Sequence, residues 1–256
     1  MRVDLSTEPG DPQRPNEDYV SIALPASGQG GTLVLLDGVT PPEGGGGCVH
    51  GVPWFTARLG GTMLELSGSR RDMTLARCLA ESIRLTAEVH QASCELSHLL
   101  TPQSTVVAAR WDADRVEHLV LSDSTLLIEG TDGNVTAVLD DRIDRLRATG
   151  RRVAPLRNTE GGFFTAAADP DVVRRAVTGT SPRANVRALA ALTDGAARWV
   201  EVFHEGDWTD CLALLRAEGA RSLLGRVRAA EAADPDGTAA PRGKPRDDKA
   251  AVFVEL

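Results

Sequence analysis

Aromatic residues are scarce in this chain: they make up 4% of 256 residues, and only one is a tyrosine. A stacking platform for single-stranded nucleic acid is therefore not expected. Positive charge is also short. The 28 Lys and Arg against 36 Asp and Glu leave a formal charge of −8, which argues against a partner held through nucleic-acid phosphates. The four cysteines (Cys48, Cys78, Cys94, Cys211) contain no CxxC pair and no disulfide-framework spacing. They read as reduced thiols, and the expected compartment is the cytoplasm. No apolar run approaches the ~18 residues of a membrane span, and the opening MRVDLSTEPGDPQ has no apolar segment of a secretory leader. What is present is ordinary for a globular protein: 42% hydrophobic and 25% charged residues. The length suits one domain over 1–256, large enough to hold a core without disulfides.

The hydrophobic period changes several times along the chain. Residues 1–13 read as an extended, polar lead-in. YVSIAL (19–24) alternates like a strand, and GTLVLL (31–36) is a buried strand ending in Asp37-Gly38. TPPEGGGGCVHG (40–51) is a glycine-rich loop, whose Gly44–Gly47 run is costly to order. Helical patterns follow over 52–66 and 73–99, with Leu75, Leu79 and Ile83 on one stripe. Four short strands come next, at 104–111, 115–121, 125–129 and 135–139, then a charged helix-and-loop stretch over 140–157. Strands are expected at 161–167 and 187–193, with a short helix near 170–177 between them. Helices are expected at 208–217 and 220–232, a surface loop at 234–246, and a closing strand at 250–255. This order implies an α+β fold in which helices cover antiparallel sheets.

Five acidic motifs sit beside these apolar strands: Glu17-Asp18, Asp37-Gly38, Asp123, Asp194-Gly195 and Asp247-Asp248. Taken singly, Asp-Gly after a strand is an ordinary turn, and Asp247-Asp248 reads equally as solvated loop charge. As an ordered set they can converge on a shared core. Carboxylates clustered without His or Cys suit a hard cation such as Mg²⁺ or Mn²⁺.

The succession Asn16-Glu17-Asp18, Asp37-Gly38, Ser104-Thr105, Ser122-Asp123-Ser124, Thr193-Asp194-Gly195 and Asp247-Asp248 resembles the metal-dependent serine/threonine protein phosphatases of type 2C. The resemblance runs from about residue 14 to 256. The Gly-Gly-Phe-Phe stretch at 161–164 and a Trp-bearing helix after Asp194-Gly195 look like an actinobacterial-type branch. The resemblance implies a four-layer α-β-β-α sandwich, two antiparallel β-sheets flanked by helices. It also implies two Mn²⁺ or Mg²⁺ ions that activate a water to attack a phosphoserine or phosphothreonine of a phosphoprotein. Nucleic acid and membrane are not implied as partners. By the same resemblance Asp37 bridges both metals, with the Gly38 carbonyl as a further ligand. Asp194 and Asp247 hold the first metal, and Glu17 holds the second. Asp18 orients waters, and Asp123 with Asp194 offers a third, weaker metal site. No protein nucleophile is required.

The sequence departs from the family pattern at four points. The position of the phosphate-gripping arginine holds Gln13, with Arg14 one place off. Arg14 is the candidate to grip the phosphate, the alternative being a surface arginine. Val39 stands where some members carry a histidine acting as general acid; His50 is a substitute or a loop histidine without a catalytic role. Thr125 replaces an arginine, and Ala250 replaces a threonine. These changes spare the metal carboxylates and alter the phosphate-handling surround. The competing expectation is therefore a pseudophosphatase that binds a phosphoprotein with little turnover; a hydrolase of small phosphate esters is a third.

Overall fold

The computed structural model describes residues 1–41 and 46–256; part of the glycine-rich loop, including Gly44 and Gly45, lies outside the described residues. Ten strands are present: β1 (Arg2–Glu8), β2 (Tyr19–Ala23), β3 (Gly31–Leu36), β4 (Val106–Trp111), β5 (Arg115–Leu121), β6 (Thr125–Gly130), β7 (Val135–Val138), β8 (Val177–Pro182), β9 (Val186–Leu192) and β10 (Lys249–Glu255). They form two five-stranded sheets, ordered β2-β3-β4-β5-β8 and β1-β10-β9-β6-β7, and every strand pair is antiparallel. The helices are α1 (Val52–Ser69), α2 (Leu75–His90), α3 (Arg142–Ala148), α4 (Asp194–Glu201), α5 (Trp208–Glu218) and α6 (Ala220–Ala233).

Strand alternation builds the layers. In β3, Leu33 and Leu35 point between the sheets, where they meet Leu189, Ala191, Val252 and Val254. Val34 and Leu36 point the other way, onto Phe55, Leu59 and Met63 of α1 and Leu79 and Ile83 of α2. Both faces are covered, so GTLVLL is apolar at nearly every position rather than every second one. The second sheet repeats the arrangement. Ala190, Leu192, Ala251 and Phe253 face Trp199 of α4, Leu212 and Leu215 of α5, and Leu223 and Val227 of α6. The expected α-β-β-α sandwich is thus the observed fold. Among the described residues no helix is long and apolar enough to cross a membrane.

Several local expectations are corrected. The lead-in is β1, a full edge strand paired with β10 from Arg2↔Glu255 to Glu8↔Lys249. Residues 161–167 form no strand. The chain turns back on itself there, with the Phe163 N–H donating to the Leu156 carbonyl and Ala166 making an isolated bridge to Ser104. The strand of that region is β8, on the edge of the first sheet. The helix expected over 73–99 stops at His90; beyond it, the Glu95 N–H donates to the Gly47 carbonyl instead of continuing a helix. The 234–246 loop is irregular but pinned. The Asp234 carboxylate accepts from the Thr238, Ala239 and Ala240 amides and from Arg242.

Candidate active site

Register places the acidic motifs at one end of the sandwich. Tyr19 pairs with Leu36, so Glu17-Asp18 before β2 lies beside Asp37 after β3. Ala251 pairs with Leu192, so Asp247-Asp248 before β10 lies beside Asp194 after β9. Leu121 of β5 pairs with Val106 at the same end of the first sheet, and Thr125 of β6 pairs with Leu192 at the same end of the second. Ser122-Asp123-Ser124 therefore crosses from one sheet to the other at that end. The crossing is tight: Ser122 has φ +71°, and its N–H donates to the Asp140 carboxylate at 3.0 Å while its hydroxyl donates to Asp123 at 3.1 Å.

Asp37 sits at the centre. The Asp194 N–H, at the start of α4, donates to Asp37 Oδ2 at 3.2 Å, where the helix's N-terminal partial charge favours a carboxylate. The Thr105 hydroxyl accepts from the Asp37 N–H at 3.1 Å and is itself 2.6 Å from the Ser124 hydroxyl, so the Ser-Thr and Ser-Asp-Ser motifs brace the acid. Gly38 is boxed in by the Glu17 backbone and by Val52 of α1: a Cβ there would come 2.6 Å from Val52 Cγ1, so only glycine brings the chain this close. Asp248 is structural. Its two oxygens accept from the Gly10 and Glu17 amides, each at 2.7 Å, tying the N-terminal segment to β10.

The electrostatics are those of an acid cluster lacking counter-charge. Burial pushes the Asp37 carboxyl well above the ordinary range, and Asp194, Asp18 and Asp247 push it further. Burial likewise raises Asp18 well above that range, against the lowering effect of Thr193 and with Asp194, Asp248 and Asp247 adding to the rise; its Oδ2 is buried with no protein partner. Asp123 is raised to about 6 by burial and then by Asp194, with Arg147 opposing. Burial also raises Glu17, partly offset by the Thr40 hydroxyl and Lys244. An all-oxygen donor set under this strain fits hard divalent cations. No three of these carboxylates, among the described residues, bring an oxygen each within 4.8 Å of one another. The spacing is open, as suits ions whose shells water completes.

Two cations missed in the sequence reading lie here. Arg198 Nη2 donates to Asp247 Oδ2 at 2.8 Å and Lys244 Nζ to Asp247 Oδ1 at 2.9 Å. Lys244 also donates to Thr40 Oγ1 at 3.0 Å, and the Thr40 hydroxyl donates to Glu17. Burial opposes the charge on Lys244, yet Asp247, then Asp37 and Asp194, outweigh it and raise its pKa. The available signals were Lys244 three residues before Asp247 and Arg198 four after Asp194. Arg14 is exposed and lines, with Glu17, Thr40, Lys244 and Asp247, a cleft of about 760 Å³. His50 does not serve the cleft: it stacks on Trp54 and lies against Cys48 and Cys94.

No family model matches the sequence, and no curated protein does. Solved structures do match. The serine/threonine phosphatase Stp1 from Staphylococcus aureus superposes with a TM-score of 0.61 at 14% identity, over 100% of this chain and 95% of that one. The serine/threonine phosphatase PstP/Ppp of Mycobacterium tuberculosis gives 0.61 at 16% identity, over 100% and 98%. The catalytic domain of PstP in complex with two manganese ions gives 0.59 at 18%, over 99% and 97%. Likeness at this level of identity establishes the fold, and over its whole length the chain has the fold of the bacterial type 2C serine/threonine phosphatases.

Proposed function

We propose that this chain hydrolyses phosphoserine and phosphothreonine esters of a phosphoprotein, using Mn²⁺ or Mg²⁺ held by its acid cluster. The observation that carries the reading is the convergence of Glu17, Asp18, Asp37, Asp123, Asp194 and Asp247 from both sheets on one end of the fold. Asp37 with the Gly38 carbonyl would serve both ions, Asp194 and Asp247 the first, and Glu17 the second. Asp123 with Asp194 would form a third, weaker site. When bound, such ions lower the pKa of a water toward neutrality and neutralise phosphoryl charge. The chain's own residues do the rest. Asp18 offers its unpartnered Oδ2 as a hydrogen-bond acceptor that orients water. Thr105 and Ser124 hold Asp37 in place. Arg14, at the cleft mouth, supplies the forked donor that suits a phosphate. A manganese-bound neighbour of the same fold adds support.

A specific observation favours the second reading, a phosphoprotein-binding regulator with little turnover: both Asp247 oxygens already carry a cationic side chain. Hydrolysis of a phosphothreonine peptide and of para-nitrophenyl phosphate, each with Mn²⁺ and with chelator, separates the two. Metal-dependent turnover of the peptide is the expected result. Calorimetry is expected to find two Mn²⁺ per wild-type chain and loss of most of that binding in Asp37→Asn. Unchanged stoichiometry in a folded variant refutes the ligand assignment.

A further inference from the structure

Four side chains that phosphate chemistry does not use meet where the loop before α1 touches the end of α2. Cys48 and His50 come from the loop, His90 is the last residue of α2, and Cys94 lies in the turn beyond it. Among the described residues they are the one group of three or more His, Cys, Asp or Glu side chains whose ligand atoms all lie within 4.8 Å of one another. The sequence reading found no metal pattern in the cysteines because Cys48-x-His50 and His90-x3-Cys94 are mixed pairs some forty residues apart.

The sulfur–nitrogen separations are informative. Cys48 Sγ is 3.5 Å from His90 Nδ1 and 3.7 Å from His50 Nδ1, and Cys94 Sγ is 3.4 Å from His50 Nδ1. Bonds of ~2.3 Å to sulfur and ~2.0–2.1 Å to nitrogen, at the tetrahedral angle around zinc, place S and N about 3.5–3.6 Å apart. The observed values bracket that distance. Thiol–imidazole hydrogen bonds do not account for the set, since the single Nδ1 of His50 faces two sulfurs at once.

We propose that Cys48, His50, His90 and Cys94 bind one zinc ion in a closed Cys2His2 site. Soft thiolates with imidazoles select zinc over Mn²⁺ or Mg²⁺, the reverse of the all-oxygen cleft. Binding displaces the two thiol protons to solvent. Both imidazoles coordinate as neutral rings, and the thiolate charges cancel the ion's charge. Four protein ligands leave no open position, so the role is structural. The surroundings suit a closed site: His50 stacks on Trp54 at 4.1 Å between ring centroids, Trp54 is 5.0 Å from His90, and His90 is 3% exposed. The loop is also docked for it. Gly47 has φ +70°, and a Cβ there would lie 2.7 Å from His98 Cβ, so glycine lets the chain lie flat on the 95–98 turn. The Glu95 N–H donates to the Gly47 carbonyl at 2.6 Å. Directly after the ligands come Gly51 and Val52, which line the phosphate cleft. The ion would thus fasten one wall of the cleft to α2 without touching substrate.

The test uses the whole chain, purified under reducing conditions without chelator and dialysed against Mg²⁺. Elemental analysis is expected to find one zinc per chain, retained in Asp37→Asn and absent from Cys48→Ser/Cys94→Ser. Replacing the zinc with Co²⁺ in the unmodified protein is expected to give a thiolate-to-cobalt charge-transfer band and the intense d–d bands of a tetrahedral ion. That measurement needs no variant, so a misfolded double mutant does not shield the proposal. Wild-type protein without retained zinc, or a cobalt spectrum lacking the thiolate band, overturns it. So does a Cys48–Cys94 disulfide in freshly reduced and re-isolated protein, detected as the loss of two hydrogens in the intact mass. None of these readouts uses turnover, so failure here and failure of the phosphatase reading are distinguishable.

Discussion

Behind Asp247 lies a buried charge network whose disruption has a calculable cost. Arg198 Nη1 is 2.7 Å from Glu231 Oε1, Lys249 Nζ is 2.9 Å from Glu231 Oε2, and Arg198 Nη2 reaches Asp247. Glu231 and Lys249 are 1% and 2% exposed. The Lys249–Glu231 contact is an ion pair without hydrogen-bond alignment, and Lys249 directs a hydrogen bond at the Asp247 carbonyl, 2.6 Å away. Two cations balance two carboxylates. Glu231→Gln keeps the shape and removes one negative charge, so Arg198 and Lys249 must share a single acid that Lys244 also engages. Removing one partner of a buried pair costs about 3–5 kcal/mol. At ~2.1 cal/mol/K per residue, the unfolding entropy of this chain is about 0.5 kcal/mol/K, so the melting temperature should fall by about 6–10 °C. Adding Lys249→Met restores neutrality and should recover at least half of that loss. Scanning calorimetry of the metal-free proteins measures both. A Glu231→Gln midpoint within about 2 °C of wild type, or a double variant less stable than the single one, refutes the reasoning.

Further outcomes follow from the cleft and from one buried histidine. Arg14→Ala should raise KM for a phosphopeptide with little change in Mn²⁺ affinity; losing a charge-assisted pair of about 1.5–3 kcal/mol lowers kcat/KM by roughly one to two powers of ten, and wild-type kinetics would make Arg14 an ordinary surface residue. Lys244→Met should tighten Mn²⁺ binding in calorimetry, because Lys244 competes for Asp247; weaker binding would show that Lys244 helps to shape the site. Burial lowers the pKa of His118 below the ordinary 6.5, the nearby Glu117 opposing, and its Nδ1 has no partner. The unfolded chain therefore binds the proton first as pH falls below 6.5, and that part of the stability, intact above 6.5, is lost on acidification. His118→Phe should flatten the fall in melting temperature through this window, and an unchanged slope would contradict the assignment.

The central strands and the acids at their ends were legible because each carries its own chemistry: GTLVLL and ALAAL are apolar on both faces, and an acid after such a strand has few alternatives. The edges were not. β1 reads RVDLSTE and β8 reads VTGTSP, both polar on one face and paired on one side, so their sequences differ little from loop. Gly161–Ala167 misled in the opposite direction: Phe163 is buried against a turn, not a neighbouring strand. In the site, the carboxylates were visible from order and spacing. Lys244 and Arg198 were not, since long side chains reach the cleft from a loop and from the inner face of a helix. The Cys/His cluster depends on the loop folding back against α2, which no local pattern encodes.

The crossing at Ser122-Asp123-Ser124 has a consequence for how such a molecule can change. Glu17, Asp18 and Asp37 ride on one sheet, Asp194 and Asp247 on the other, and the only material setting their separation is the greasy layer of Leu33, Leu35, Leu189 and Val252. Such layers are close-packed and transmit small volume changes. A methylene gained or lost at Leu189 would shift one half of the acid set relative to the other while leaving every acid in place. Tuning of the chemistry is therefore open to residues that never see solvent, and an inventory of conserved acids would read two differently gauged molecules as the same.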